Sequence, residues 1–289
     1  MSVSEKTKIG RQGILSDEVI VHHEIMGNPN QNLRRLVLQG EIAQYAQPGQ
    51  FVHLQVSPNP TLDPLLRRPI SIAEINQEKG LITLLYKVIG KGTKLLSQAR
   101  VGERLSVMGP IGTGFSLPRS GELWLVAGGI GIFPLYALAQ WAQQNNLPVR
   151  LFWGGQHGEF MQCAGLKDWQ DLTVDLHLCT MDGSMGKAGL VTEILENGYL
   201  EYKKEHPEHG EIHVACCGPH GMMEAVSRLC DSLELPLEVS LEERMGCAVG
   251  ACLGCVCTLK DEHGSLVRKK VCQDGPVFIG EQVVWDVSC

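Results

Sequence analysis

Hydrophobic positions along the chain change their rhythm twice. From residue 10 to about 118 they come in short runs separated by Gly and Pro: "RRLVLQG", "QFVHLQV", "RPISIAEI", "LITLLYKVIG" and "ERLSVMGPIG". Short apolar segments at this spacing, with no long helical pattern among them, predict an antiparallel barrel or sandwich. Near "LPRSGELWLVAGGIGIFPLYALAQWAQQNN" the runs lengthen. An apolar strand over 122–127 leads through a glycine turn into a helix with Leu135, Leu138, Ala139 and Ala142 on one face. Pro134 suits the first turn of that helix, where a missing N–H costs nothing. "VRLFWGG", "VDLHLCT" and "EIHVACCGP" follow as strands, and the last opens a helix with Met222, Val226, Leu229 and Leu233 aligned. Strands alternating with helices predict a largely parallel sheet covered on both faces. The third section begins near 240. At roughly fifty residues it is too small to depend on a hydrophobic core alone, so an inorganic staple would suit it. The expected protein is therefore multidomain: an antiparallel β-barrel over 10–118, an α/β parallel-sheet domain over 119–239 and a small C-terminal domain over 240–289. No internal repeat or low-complexity tract interrupts this order.

Composition narrows the function. The chain has 289 residues, a net charge of −7 and 44% hydrophobic residues, ordinary values for a globular protein with real cores. Its longest basic run, "RKK" at 268–270, is too short for an electrostatic footprint on nucleic acid. No apolar run reaches membrane-spanning length, and "MSVSEKTKIGRQG" lacks the apolar centre of a signal peptide, so no membrane contact and a cytoplasmic location are expected. There, eleven cysteines argue for metal binding where they cluster and for buried thiols where they scatter.

Four of them cluster in "RMGCAVGACLGCVC". Cys247, Cys252 and Cys255 follow C-x4-C-x2-C, the spacing of plant-type [2Fe–2S] sites, and Cys272 in "KKVCQDG" offers a fourth thiolate. Gly246, Gly250 and Gly254 are expected at turns with φ > 0 that aim backbone N–H groups at the cluster. Zinc is the rival occupant, since four thiolates suit it equally. Structural zinc sites usually pair two separated C-x2-C units, and only one such unit is present, which favours iron–sulfur. Cys257 reads as a neighbour packed beside the site. Cys163, Cys179, Cys216, Cys230 and Cys289 have no clustered partners and read as structural thiols.

Other motifs are weaker alone. "RRPISI" fits a barrel strand with a basic start. "YKVIGKGTKLL" places Gly90, Gly92 and Thr93 at a predicted helix start, where backbone donors suit a pyrophosphate. "VAGGIGIFP" departs from G-x-G-x-x-G, yet Gly128, Gly129 and Gly131 would let backbone approach a phosphate, or simply make a tight turn. Cys217-Gly218-Pro219 ends a later strand, where open α/β sheets bind ligands; by itself Cys217 would be a buried thiol and His220 a residue without special duty. Asp182 in "TMDGS" is either a ribose contact or a turn residue.

Taken in order, these strings resemble ferredoxin–NADP reductase-like flavoproteins. With the C-terminal cysteines added, the chain resembles the electron-transfer subunits of type B dihydroorotate dehydrogenases, from about residue 10 onward. The strings carrying the likeness are "RRPISI", "LLYKVIGKGT", "GGIGIFPLY", "CGPHGMM", "RMGCAVGACLGCVC" and "VCQDGPVF". The gap from Cys255 to Cys272 is shorter than in plant ferredoxins.

The resemblance implies an oxidoreductase subunit with three cofactors: FAD, a [2Fe–2S] cluster and NAD. Arg68, Pro69, Ile70 and Ser71 would line the FAD, continued by Leu85, Tyr86 and Lys87, with Gly92 and Thr93 at its pyrophosphate. Many relatives carry Arg where Lys87 stands. Gly129, Gly131, Cys217, Gly218 and Pro219 would shape the nicotinamide pocket, and Cys247, Cys252, Cys255 and Cys272 would ligate the cluster. "WGGQHGE" holds no basic group for a 2′-phosphate, which favours NAD over NADP. The implied partner is an FMN-containing dihydroorotate dehydrogenase catalytic subunit, in a heterotetramer serving pyrimidine (UMP) biosynthesis, with the cysteine loop facing it. No acid–base residue in this chain is required. The alternatives are a reductase subunit of another soluble NAD(P)H, ferredoxin, sulfide, sulfite or hydrogenase system, and a zinc-stabilised binding protein without enzymatic activity.

Overall fold

The structure is a computed structural model, and it describes residues 13–57, 62–206 and 210–285. Cys289 lies outside them. The first section forms a closed six-stranded barrel from β1 (Ile14–Ile25), β2 (Leu33–Gln39), β3 (Phe51–Leu54), β4 (Arg68–Asn76), β5 (Leu81–Lys87) and β6 (Arg104–Ile111), in the order β1-β2-β5-β4-β3-β6. Every pairing is antiparallel, and β1 against β6 closes the ring. The period of two explains the choice: Leu36 and Leu38, Val52 and Leu54, Ile70 and Ile72, and Leu105 and Val107 all turn into one buried interior. A short helix, α1 (Lys91–Leu96), sits between β5 and β6.

The second section contains β7 (Glu122–Gly128), α2 (Phe133–Gln144), β8 (Val149–Gly155), α3 (Gly158–Cys163), α4 (Leu166–Gln170), β9 (Asp175–Thr180), β10 (Lys187–Ala188), α5 (Val191–Glu205), β11 (Ile212–Cys217), α6 (His220–Ser232) and β12 (Leu237–Ser240). The strands pair in parallel, and β7 lies centrally between β8 and β11. This position accounts for its unbroken apolar run. Trp124 and Val126 pack toward α5 and α6, while Leu125 and Ala127 pack toward α2. Pro134 does fall in the first turn of α2.

The third section forms a hairpin of β13 (Val256–Lys260) and β14 (Leu266–Lys270), followed by β15 (Val277–Ile279). That last strand returns to the second section and pairs antiparallel with β12, completing the order β10-β9-β8-β7-β11-β12-β15. It is the antiparallel edge of an otherwise parallel sheet. The cysteine module also shares a core with its neighbours: Ala248, Cys255, Cys257 and Cys272 are buried together with Phe51, Met108 and Ile111 of the barrel.

Candidate cofactor and dinucleotide sites

The carboxyl ends of the parallel strands open into a cavity of about 680 Å³. Gly128, Gly129 and Gly131 form one wall, where β7 passes through a 3-10 turn straight into α2. Gly129 takes φ +55, and Gly131 touches the end of the neighbouring strand β11: a Cβ there would lie 2.3 Å from the Cys217 carbonyl oxygen. Gly218 and Pro219 form the facing wall, and Lys87 of β5 closes the barrel side with its ammonium 6.0 Å from the Phe160 ring centre. Lys87 is the one cation among the described lining residues.

Cys217 is buried, and its thiol is pushed well up, first by burial and then by the Glu242 carboxylate. Glu242 also lines the cavity. Its carboxyl is raised above the usual range by the surrounding protein although the residue stays open to solvent through the cavity mouth. Sequence reading missed it, because a Glu just beyond β12 belongs to no local motif. Asp182 is a turn residue here, accepting hydrogen bonds from the Ser184 backbone N–H at 3.0 Å and from the Ser184 hydroxyl at 2.6 Å. His220 packs edge-on against Trp285.

On the barrel, Arg68 lies against the start of α1. A Cβ at Gly92 would come within 2.6 Å of the Arg68 Nε, so this glycine makes room for the guanidinium. The guanidinium, which also donates to the Leu66 and Arg67 carbonyls at 2.7 and 3.2 Å, thus sits as a cation beside the start of α1, a placement that suits a pyrophosphate. The Thr93 hydroxyl is engaged locally, accepting from the Ile89 and Gly90 N–H groups and donating to the Gly90 carbonyl. Strand alternation separates the remaining residues. Ile70 and Tyr86 belong to the barrel interior, with the Tyr86 hydroxyl 2.9 Å from His23 Nε2, while Ser71 and Lys87 lie on the outer side. Leu85 packs on that outer side too, in the core shared with α2.

Four cysteines of the third section, Cys247, Cys252, Cys255 and Cys272, form two pairs. The Cys252 thiol hydrogen-bonds to Cys247 Sγ, and Cys255 does the same with Cys272. The Val249 and Cys252 N–H groups also donate to Cys247 Sγ, at 3.5 and 3.3 Å. Burial works to raise the Cys247 thiol, but these donors together bring it down to about 7. Burial, then Cys255 beside it, raises Cys272 to about 12. Cys255 and Cys272 are buried and Cys252 is exposed.

Among the described residues no group of three or more His, Cys, Asp or Glu side chains forms a ready single-ion site. Two thiol pairs with backbone donors aimed at sulfur suit a dinuclear cluster, each iron of which takes two thiolates. The loop differs from expectation in one respect. Gly250 has φ +77, but the other left-handed positions are Ala248 and Leu253 rather than Gly246 and Gly254. A Cβ at Gly246 would crowd Cys252 Sγ at 3.3 Å, whereas one at Gly254 would meet it at an ordinary 3.5 Å.

A second cavity, of about 660 Å³, lies between the barrel edge and this module, lined by residues including Gln50, Thr113, Val249, Cys272 and Gln273. The contact is tight where Thr113 N–H donates to the Gly275 carbonyl at 2.6 Å.

A sequence profile for the iron–sulfur cluster binding domain of dihydroorotate dehydrogenase B matches residues 242–284, and one for an oxidoreductase NAD-binding domain matches residues 125–228. The electron transfer subunit of dihydroorotate dehydrogenase B (NAD(+)) from Desulforamulus reducens is 40% identical over 247 residues, covering 85% of this chain and 90% of that protein. Its Bacillus cereus counterpart is 40% identical over 258 residues, covering 88% and 93%. The solved structure of an NADH-dependent reduced ferredoxin-NADP oxidoreductase superposes with a TM-score of 0.78 at 26% identity, covering 94% of this chain and 91% of that one. A ferredoxin NADP+ reductase from Neisseria gonorrhoeae with bound FAD and NADP shares the fold at TM-score 0.60 and 16% identity, covering 75% and 91%.

Proposed function

The chain belongs to the family of dihydroorotate dehydrogenase B electron transfer subunits, and from that membership we propose that it carries electrons from an FMN-containing catalytic subunit oxidising dihydroorotate, by way of [2Fe–2S] and FAD, to NAD+ in pyrimidine (UMP) biosynthesis. The observation that carries this reading is convergence. The outer side of the barrel packs against the cysteine module in one core and against the domain that holds the dinucleotide cavity in another, which supports a relay within a single chain.

FAD supplies the conversion between single electrons and a hydride pair, and the cluster supplies one-electron steps. What the protein does is hold and orient. Cys247, Cys252, Cys255 and Cys272 ligate the cluster, with the Val249 and Cys252 N–H groups stabilising charge on sulfur. Arg68, Gly92 and Thr93 hold the flavin pyrophosphate, the last two through backbone. Pro69, Ile70, Ser71, Leu85, Tyr86 and Lys87 form the flavin platform, Ile70 and Tyr86 by stiffening the strands from within. Gly129, Gly131, Cys217, Gly218 and Pro219 shape the nicotinamide pocket, and the buried Cys217 stays a neutral thiol there. The lining gives no cluster of cations for a 2′-phosphate, which supports NAD.

The module boundaries we adopt are 10–118, 119–239 and 240–289. Leu253, 64% exposed between two cluster ligands, supports docking of the catalytic subunit at this loop, in a heterotetramer. No described helix is long and apolar enough to cross a membrane, and the proposed location is the cytoplasm. The test is co-purification with an FMN subunit, followed by visible spectra, iron and sulfide analysis and dihydroorotate-dependent reduction of NAD+. Flavin and cluster absorption with NADH formation supports the reading. A colourless, zinc-rich protein overturns it.

A further inference from the structure

The turn that joins β1 to β2 reaches across to the second section and is shaped for that contact. Gly27 takes φ +57, and a Cβ there would lie 2.5 Å from Cys163 Sγ at the end of α3, so the close approach depends on glycine. Asn28 follows. Its backbone N–H donates to Cys163 Sγ at 3.1 Å, its side-chain oxygen accepts from the Asn30 N–H at 3.0 Å, and its side-chain amide donates to Glu159 Oε1 at 2.6 Å. Gln31 Nε2 approaches the other Glu159 oxygen at 3.5 Å. One carboxylate on α3 thus faces two amides of one turn, and the Asn30 contact holds the Asn28 amide in its donating orientation.

The dinucleotide cavity opens at the same boundary. Among its described lining residues the barrel section supplies Gln31 and Lys87, while the second section supplies most of the others, including His157 and Phe160 at the start of α3. Flavin on the barrel and dinucleotide in the second section can react only if the two sections are correctly oriented, and a misplacement of about 1 Å can cost roughly a hundredfold in rate. Leu33 and Leu85 of the barrel are buried in one core with Phe133 and Tyr136 of α2, which holds the sections together. Burial of apolar surface is non-directional, so orientation falls to directional contacts. These are the Arg35–Asp168 ion pair between β2 and α4, and the grip of the turn on α3. The grip lies against the cavity itself, through Gln31 and Phe160.

We propose that Glu159 is a positioning residue for hydride transfer: by holding Asn28 and Gln31 it fixes the second section against the barrel across the dinucleotide cavity. This rests on the flavin and NAD reading of the preceding section. Glu159 is not one of the residues lining the cavity, so its effect falls on the rate of transfer rather than on NADH affinity.

The test compares the full-length wild-type chain with Glu159→Ala, Glu159→Gln, Asn28→Ala and the double alanine variant. Anaerobic stopped-flow absorbance follows flavin reduction by NADH and separates the limiting rate from the dissociation constant. Hydrogen exchange and thermal unfolding are read on the flavin-free chain. Glu159→Ala should slow limiting flavin reduction about fivefold and leave NADH affinity at the wild-type level. It should also speed exchange over residues 27–31 and 158–163 without lowering the unfolding temperature, because the lost bonds are exposed. Asn28→Ala should slow reduction as much, and the double variant no further. Glu159→Gln, which keeps an acceptor for Asn28, should recover most of the rate. A wild-type limiting rate in Glu159→Ala overturns the inference. So does a raised NADH dissociation constant at an unchanged rate, which would make Glu159 a binding residue. A slowed rate with a general fall in stability and exchange protection overturns it too, since the role would then be structural. A wild-type chain that holds no FAD overturns the functional reading first, before any variant is compared.

Discussion

Trp153 donates its indole N–H to the carbonyl of Gly129 at 3.1 Å, tying β8 to the glycine turn that ends β7. The indole is fully buried, and Gly129 holds φ +55, so one hydrogen bond fixes the backbone that walls the dinucleotide cavity. Trp153→Phe keeps an aromatic ring but loses the donor and part of the volume. It should cost about 2 kcal/mol in urea unfolding and raise the Michaelis constant for NADH several-fold, with a smaller change in turnover.

Gly131 and Gly129 should respond differently to alanine. A methyl at Gly131 meets backbone, the Cys217 carbonyl at 2.3 Å and Gly218 Cα at 2.7 Å, so β11 must shift. Gly131→Ala should lower stability by about 2 kcal/mol and impair NADH binding. At Gly129 nothing lies within 4 Å, and the cost is the left-handed backbone, about 1 kcal/mol. Thermal unfolding should rank Gly131→Ala below Gly129→Ala.

Cys257 separates ligation from packing. It is buried on β13 in the core beside the cysteine loop. Cys257→Ser should retain iron and acid-labile sulfide and lose only stability, whereas Cys252→Ser or Cys255→Ser should lose the cluster. Elemental and sulfide analysis of anaerobic preparations checks this.

Glu18 makes stability depend on pH. It is fully buried, and burial raises its carboxyl above the ordinary 4.5, although N–H groups of Glu41 and Ile42 at 3.0 and 3.3 Å pull the other way. A raised folded value means the native state binds the proton more tightly than the unfolded chain. The associated stability is full below 4.5 and is lost as pH rises through the folded value. Glu18→Gln should remove this step, so the variant gains on the wild type as pH increases from 4 to 7 in denaturant titrations.

Leu253 should matter to assembly rather than to folding. It is exposed and adopts φ +58, a costly conformation for leucine, between Cys252 and Cys255. Leu253→Asp should weaken association with the catalytic subunit, measured by gel filtration or calorimetry, while FAD and iron contents stay at wild-type levels.

Much of this was readable from local pattern. Period-two alternation marks the barrel strands, and an unbroken apolar run marks β7 as a central parallel strand. The spacing of Cys247, Cys252 and Cys255 names a cluster because ligands on one loop are close in space by being close in sequence. Gly128–Gly131 and Cys217–Pro219 were legible as strand-end turns for the same reason.

What local pattern could not reach depends on contacts between distant segments. β15 reads as a short apolar stretch of the last section, and only the vacant edge of β12 makes it part of the parallel sheet. Glu242 becomes a cavity residue because the chain leaving β12 passes the mouth formed by β7 and β11. Gly246 sits close to Cys252 Sγ, and the left-handed turns fell to Ala248, Gly250 and Leu253, where the loop closure needs them. Phe51 was one apolar residue in an ordinary strand until the cysteine module packed beside it and joined it in a single core. Periodicity reports which face of an element is buried; which group meets it there is decided by tertiary packing, since neither burial nor an unmade hydrogen bond exists until the segments meet.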